Sequence, residues 1–368
     1  MIWQLCFWFL ALTVCAAPFA PALREWLAGS DAAPLVVVRE QDTNIRHFAH
    51  SFFDQVQAFF EREGIDTLAP PPDYAGEFRR GQPFLFLGHD HHPQWPDEIR
   101  RSRLVNTLLI ASGDLILEGG FVYEQEIYCG GQLYGGGHST FRAVYAGTDL
   151  ILGENCTVAR WLHSQGHVHI GRDCMVYGRI SSTSSITIEP GTRFQRLNAD
   201  LIRFASDAAV PGGLGMQRPT PILWQLPKQA RRLDAHTVSC TGDLKLYTAT
   251  RIDSHLVTQG TLDVGTSSEL NGNLKAGTRL VIGAGCVVRG ALVCPGPIVI
   301  GPGCLIKGPV VSETEISIAA GSVIGTPKLA TTVTAPHVRV ESGCQVSGTL
   351  WATAEGAVEA PPRLAGRV

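Results

Sequence analysis

Histidines and cysteines are the side chains in this sequence whose types and spacing could do chemistry. His89-Asp90-His91-His92 is the densest run of metal-ligating groups. Three imidazoles and a carboxylate suit Zn²⁺ or Ni²⁺, but consecutive residues cannot converge on one ion without a distant fourth ligand. No residue nominates itself for that place, so the run reads as a solvated loop, and neither a metal nor a cofactor is expected. His163, His167 and His169 form a second group. His167 and His169 flank the apolar Val168, so on a strand both project outward, and the group reads as surface. His236, His255 and His337 are candidates for a general base, and none has a partner carboxylate in a recognisable motif. Gly212-Gly213-x-Gly215 lacks the strand-turn-helix setting of a phosphate loop. No nucleophile, base and orienting group come together, so no catalytic residue is assigned.

The ten cysteines contain no CxxC pair, and a chain of 368 residues has no need of a disulfide framework. Their meaning depends on a repeat. Leu115, Leu133, Leu150, Val168 and Ile186 open short apolar alternations at steps of 18, 17, 18 and 18 residues. Leu244, Leu262, Leu280, Ile298 and Ile316 recur at a strict 18, and Val338 follows after 22, an insertion of four around residues 326–332. An apolar residue recurs two places on, as at Leu117, Leu152, Val264, Ile300 and Val340, with polar residues such as Lys245, Asp263 and Arg339 between. Period-2 alternation puts each pair inside and the residue between them outside.

Six residues after each opening position stands a small side chain: Cys156, Cys174 and Thr192, then Thr250, Ser268, Cys286, Cys304, Ser322 and Cys344. Five of the ten cysteines therefore share one inward slot with Ser and Thr, and they read as packing atoms. Cys156–Cys174 and Cys286–Cys304 stand on adjacent coils, within reach of a disulfide, but thiols are expected in a cytoplasmic setting. Gly178, Gly272, Gly290, Gly308 and Gly348, ten places after the opening, mark a corner expected to need positive φ.

These elements compose an all-β fold: a parallel triangular β-helix, or solenoid, of about 18 residues per coil. The first array occupies 105–204 and the second 236–351, joined by a Pro/Gly-rich connection at 205–235 and followed by a flexible tail at 352–368. Residues 24–104 form a linker with an amphipathic helix at 45–63. There Ile45, Phe48, Phe52, Val56, Phe59 and Phe60 make one apolar stripe, and the helix is expected to cap the end of the β-domain.

Residues 2–23 are apolar and uncharged, long enough as a helix for a single-pass anchor in a bacterial inner membrane. Arg24, the first basic residue, then places the β-helix in the cytoplasm; a cleaved signal peptide with export to the periplasm is the alternative. With 30 basic and 33 acidic residues the net charge is −3, which excludes a nucleic-acid binder.

The second array resembles the bactofilins, bacterial polymer-forming cytoskeletal proteins. The resemblance rests on Ser268-Glu-Leu-Asn-Gly-Asn-Leu-Lys-Ala276, Cys286-Val-Val-Arg-Gly-Ala-Leu292 and Cys304-Leu-Ile-Lys-Gly-Pro-Val310, each following an apolar-x-apolar strand. It is good over 238–351 and looser over 105–204, and an apolar N-terminal span is also found in membrane-anchored members. The likeness implies a right-handed β-helix that stacks end to end into nucleotide-free filaments and scaffolds envelope or polysaccharide machinery. The partners are then copies of itself, the membrane through residues 2–23, and envelope-synthesis proteins. Two arrays and a long N-terminal region depart from the family. Uncapped end coils are natural association surfaces, which nominates Leu115 and Leu117 at one end and Val338, Val340 and Leu350 at the other. The period also fits hexapeptide acyltransferases, with Ile282-Gly283-Ala284-Gly285 and Ile300-Gly301-Pro302-Gly303 as the resembling units; a secreted adhesive β-solenoid is the third reading.

Overall fold

A computed structural model describes residues 45–205, apart from 68, 80 and 89–91, then 222–223 and 230–360, with scattered positions between 3 and 20. Residues 1–36 and 37–368 form separate units. The expected anchor, residues 2–23, lies almost wholly outside the described residues. Among the described residues no helix is long and apolar enough to cross a membrane.

The second unit is a mostly-β solenoid of about 13 turns with about 18 residues per coil. The opening residues stack in register: Leu115 beside Leu133, then Leu150, Val168 and Ile186. Leu244 does the same with Leu262, Leu280, Ile298, Ile316 and Val338. Each array has three parallel ladders, and the inward residues of all of them form one contiguous apolar core from Leu87 to Val358. The insertion near 326–332 loops out around a Thr326–Leu329 bridge, so the ladders on either side keep their register.

The corners work differently from expectation. Gly178, Gly272, Gly290 and Gly308 do not have positive φ. They are glycine because successive corners touch: a Cβ on Gly308 would collide with the Gly290 carbonyl, and one on Gly290 with the Gly272 carbonyl. The left-handed residue is instead the one just before each small inward side chain: Asn155, Asp173, Gly191, Ala249, Ser267, Gly285, Gly303, Gly321 and Gly343. The small side chain then bonds the turn. Cys174 Sγ accepts from the Cys156 N–H at 3.3 Å, Ser268 Oγ from Thr250 N–H at 3.2 Å and Ser322 Oγ from Cys304 N–H at 3.2 Å. Thr192 and Ser322 donate to Gly171 and Gly301 carbonyls at 2.9 Å. The slot thus holds Cys, Ser or Thr because it needs a small side chain with a hydrogen-bonding atom, not only small volume.

Helix α1 (His47–Glu63) matches its sequence signal, with Gly64 as a left-handed cap. It lies along a flank of the first array and does not cap an end. Its buried Phe52, Val56, Phe59 and Phe60 cover a column of outward aromatics, Tyr128, Tyr145 and Trp161, to make a second core outside the solenoid. Tyr128 and Tyr145 stack at 5.4 Å. The first array also begins earlier than 105: Phe84–Leu87 pairs in parallel with Leu108–Ala111, and the Pro-rich stretch before it supplies the hairpin strand Tyr74–Glu77.

The two arrays run in opposite directions and meet at their C-terminal coils. Strand Arg193–Phe204 closes the first array and pairs antiparallel with strand Gln345–Glu359, which closes the second. Arg196 stands opposite Trp351, Leu197 opposite Leu350 and Phe194 opposite Gly356. The chain leaves this junction at Ala205 and reappears at Ile222–Leu223 beside Thr250, on the first coil of the second array. Part of the expected connection is therefore strand, as is Ala230–Arg232. The expected tail is strand as far as Glu359, because Val358 is buried and Gly356 lets the Phe194 ring close against it.

Separate substitutions test the two glycine roles. Gly303 has φ +66 and open space around it, so Gly303→Ala costs about 1 kcal/mol, while Ser267→Gly gains up to about that much. Gly308→Ala costs clearly more than Gly303→Ala, because backbone must move. Urea unfolding of the three variants measures this order.

Candidate functional site

The ends of the rod are where a solenoid can recruit another molecule, because each terminal coil has a strand edge without its next coil. Of the five residues nominated from the sequence, Leu115 and Leu117 stand on a strand paired on one side only among the described residues, and Val338, Val340 and Leu350 do not. Leu115, Leu117, Val338, Val340 and Leu350 are all buried. Val338 and Val340 pair with Gly356 and Val358, and Leu350 faces Leu197 across the junction. The second array's C-terminal end is thus covered by the first array of the same chain. Array polarity has no signature in a single repeat, so the sequence could not show this.

Near Leu115 and Leu117 the core is covered by side chains, though the strand itself pairs on one side only among the described residues. Trp95 packs against Phe121 at 6.2 Å and Tyr123 at 6.5 Å, and Ile99 of helix α2 (Asp97–Ser102) packs on the core beside it. Arg100 Nε donates to the Trp95 carbonyl at 3.0 Å and fixes this plug. A lone Trp and Ile in a polar stretch gave no periodic signal.

The opposite end is the first coil of the second array. Its strand Leu244–Leu246 pairs on one side only, with Thr261–Val264, among the described residues. Beside that edge Tyr247 is 78% exposed and Leu233 46% exposed. Leu115–Leu117 is likewise paired on one side only among the described residues, with Leu133–Gly135, so both ends keep an open ladder, and Tyr247 makes the second array's end the one with the more exposed side chain.

The histidines do not converge. His92 is described, but the rest of the 89–92 run lies outside the described residues, and no group of three metal-ligating side chains occurs among those that are described. His236 sits on the first coil of the second array, His255 next to it on the following coil, and His337 beside Glu315, near the last coil. His167 and His169 project outward as expected: His167 Nδ1 is 2.8 Å from Ser185 Oγ, and His169 pairs with Glu189 at 3.2 Å. His163 departs from expectation. It faces away from the solenoid core, yet helix α1 covers it completely. Its Nδ1 lies 2.8 Å from Ser181 Oγ, and its Nε2 has no hydrogen-bond partner. The ring packs on Tyr145 and on His50 of the helix, each at 5.5 Å.

Burial, then His50 and Arg46 close by, hold the His163 pKa down at about 4, against an ordinary 6.5. The described cysteines are free thiols. Burial pushes Cys129 and Cys344 up to about 12, so neither is a thiolate nucleophile near neutrality. In each adjacent pair the hydrogen bond between the two sulfurs lowers one thiol and raises the other: Cys156 and Cys286 down, Cys174 and Cys304 up.

Compared with known proteins, the chain matches no family model, no curated protein and no solved structure at a significant level. What stands is a β-solenoid protein.

His163 gives a signed pH prediction. Above pH 6.5 it is neutral both folded and unfolded, and its site is fully stable. As pH falls from 6.5 towards about 4, the unfolded chain takes up a proton that the folded site refuses, and stability is lost across that window. The expected loss is about 3 kcal/mol, the free energy of that depression. In urea unfolding across the window, His163→Phe should remove this part of the slope; an unchanged slope would place the titration elsewhere.

Proposed function

We propose that this protein is a bactofilin-like structural scaffold and not a catalyst: a bipolar β-helical rod that self-associates through the first coil of its second array. Residues 2–23 hold it at the bacterial inner membrane with the β-helix in the cytoplasm, where it organises envelope or polysaccharide machinery. The observation that carries the reading is the junction of Arg193–Phe204 with Gln345–Glu359. It runs one apolar core through both arrays and, among the described residues, leaves one-sided strands only towards the two far ends of the rod, Leu244–Leu246 at one and Leu115–Leu117 at the other. At about 4.8 Å per coil, about 13 turns make a stiff element roughly 60 Å long. Rigid length with few moving parts suits a spacer or platform. The family likeness of the second array and the apolar span ahead of Arg24 support the same reading.

Trp95 plugs the core at the Leu115–Leu117 end, while the first coil of the second array carries the exposed Tyr247 beside its one-sided strand, so association through that coil favours symmetric pairs of rods over long filaments. Each partner would add the other's first coil to its own ladder. Electron microscopy and sedimentation of the full chain in detergent, without nucleotide or metal, test this. Wild-type protein should form pairs of rods joined end to end, and Leu233→Glu with Tyr247→Glu should return single rods with an unchanged melting temperature. Wild-type protein that stays as single rods at every concentration removes the self-association reading.

A further inference from the structure

A groove of about 440 Å³ lies where the first array's closing coils meet the second array, and both contribute to its wall. A cavity of this size is in the range of small-ligand sites. Its charge is one-sided: Arg160, Arg179 and Arg196 line it, and no Asp or Glu does. Arg179 and Arg196 are register partners on neighbouring coils, so their Cα atoms are about 4.8 Å apart. Arg160 is an exposed residue in the bulge between Val158 and Trp161.

Two of these guanidinium groups are held in place. Arg179 lies over the Phe48 ring at 4.8 Å, and Arg196 over the Trp351 ring at 4.5 Å. A guanidinium held over a ring has less freedom to lose on binding, and its planar fork of N–H groups suits a planar anion such as carboxylate. Phe48 belongs to helix α1 and Trp351 to the second array, so the site is assembled from three separate parts of the chain. Around the arginines the wall changes character. Tyr177 is 54% exposed and Trp351 38% exposed at the rim, offering flat apolar surface in reach of water. Gln195 and Thr353 add neutral groups that both donate and accept.

We propose that this groove binds a short sugar chain bearing carboxylates, a uronate-type oligosaccharide. Arg160 and Arg179 take the carboxylates, the rim rings take the apolar faces of the sugar rings, and Gln195 and Thr353 take hydroxyls. A single-stranded nucleic acid fits less well. It needs successive open stacking platforms, and here Phe48 and Trp351 each carry a guanidinium on one face. This site goes beyond the scaffold reading and does not depend on whether the rods pair.

The test is titration of the full chain with tri-galacturonic acid, followed by tryptophan fluorescence, since Trp161 and Trp351 both line the groove. Maltotriose, a hexathymidylate and phosphatidylglycerol vesicles are the comparison ligands. The expected result is saturable binding of the uronate that weakens with added salt, with little response to maltotriose. Arg179→Gln should weaken it by about tenfold or more. Because that change also removes the contact with Phe48, Arg160→Gln on the exposed bulge is the second variant, expected to weaken binding with an unchanged melting curve. Equal binding of maltotriose, tighter binding of the oligonucleotide or the vesicles, no binding of the uronate, or full binding by both folded variants overturns the proposal.

Discussion

A β-coil has two edges, and its backbone donors and acceptors need a partner on each. Inside each array the next coil is that partner, and this is what holds the period at 18 residues and pushes the insertion at 326–332 out into a loop. At the array ends the same demand is met by reversal. The closing coils face one another on all three sides: Leu197 meets Leu350, Phe194 meets Gly356, and Ile202 meets Val346. One side of each coil pairs with its counterpart while the other two exchange places. That is the pattern of a two-fold rotation, which preserves the hand of a helix, so one core can pass through the junction without a break.

The second demand is at the corners, where the chain must turn three times per coil and still satisfy its donors. Here volume and hydrogen bonding are separated by position. One residue turns left-handed, the next supplies a sulfur or oxygen to a backbone N–H of the neighbouring coil, and a glycine further on lets two corners touch. Thiols and hydroxyls exchange freely in this slot because both donate and accept. The cysteines are therefore part of the frame: burial raises Cys129 and Cys344, and in the stacked pairs the hydrogen bond to the neighbouring cysteine sets the direction.

Much of this was legible in the sequence. The openings from Leu115 to Ile186 and from Leu244 to Val338 stack as their spacing requires, and helix α1 ends at its glycine. These features repeat or have a period, so each residue is supported by several others. What the spacing missed occurs once. The pairing of Leu197 with Leu350 joins residues from two different arrays, and a repeat period carries no record of which ends meet. The Trp95 plug is a single aromatic in a polar stretch. His163 looked like surface because it points away from the solenoid core; only the helix laid over that face buries it. Val338, Val340 and Leu350 were chosen as the end of a repeat that the junction covers, while Leu115 and Leu117 do stand on a strand paired on one side only among the described residues. Of the corner glycines, Gly348 has the positive φ expected of it, and the other four were placed correctly but for the wrong reason, since close approach and left-handed φ both select glycine.

The junction also sets an order in time. Strand Arg193–Phe204 is complete 141 residues before its partner strand Gln345–Glu359 begins. At ordinary synthesis rates that is an interval of roughly 7 to 28 seconds. Through it the first array carries a finished coil with a bare edge, while its own covering strand has not yet been made. On a polysome the closing strand of an older chain can arrive first, and because the junction is antiparallel and nearly symmetric it would fit as well as the native one. The feature that makes the mature rod continuous thus makes the nascent chain open to exchange of its last coil with a neighbour, and rapid closure of that seam is a requirement on how the chain is made.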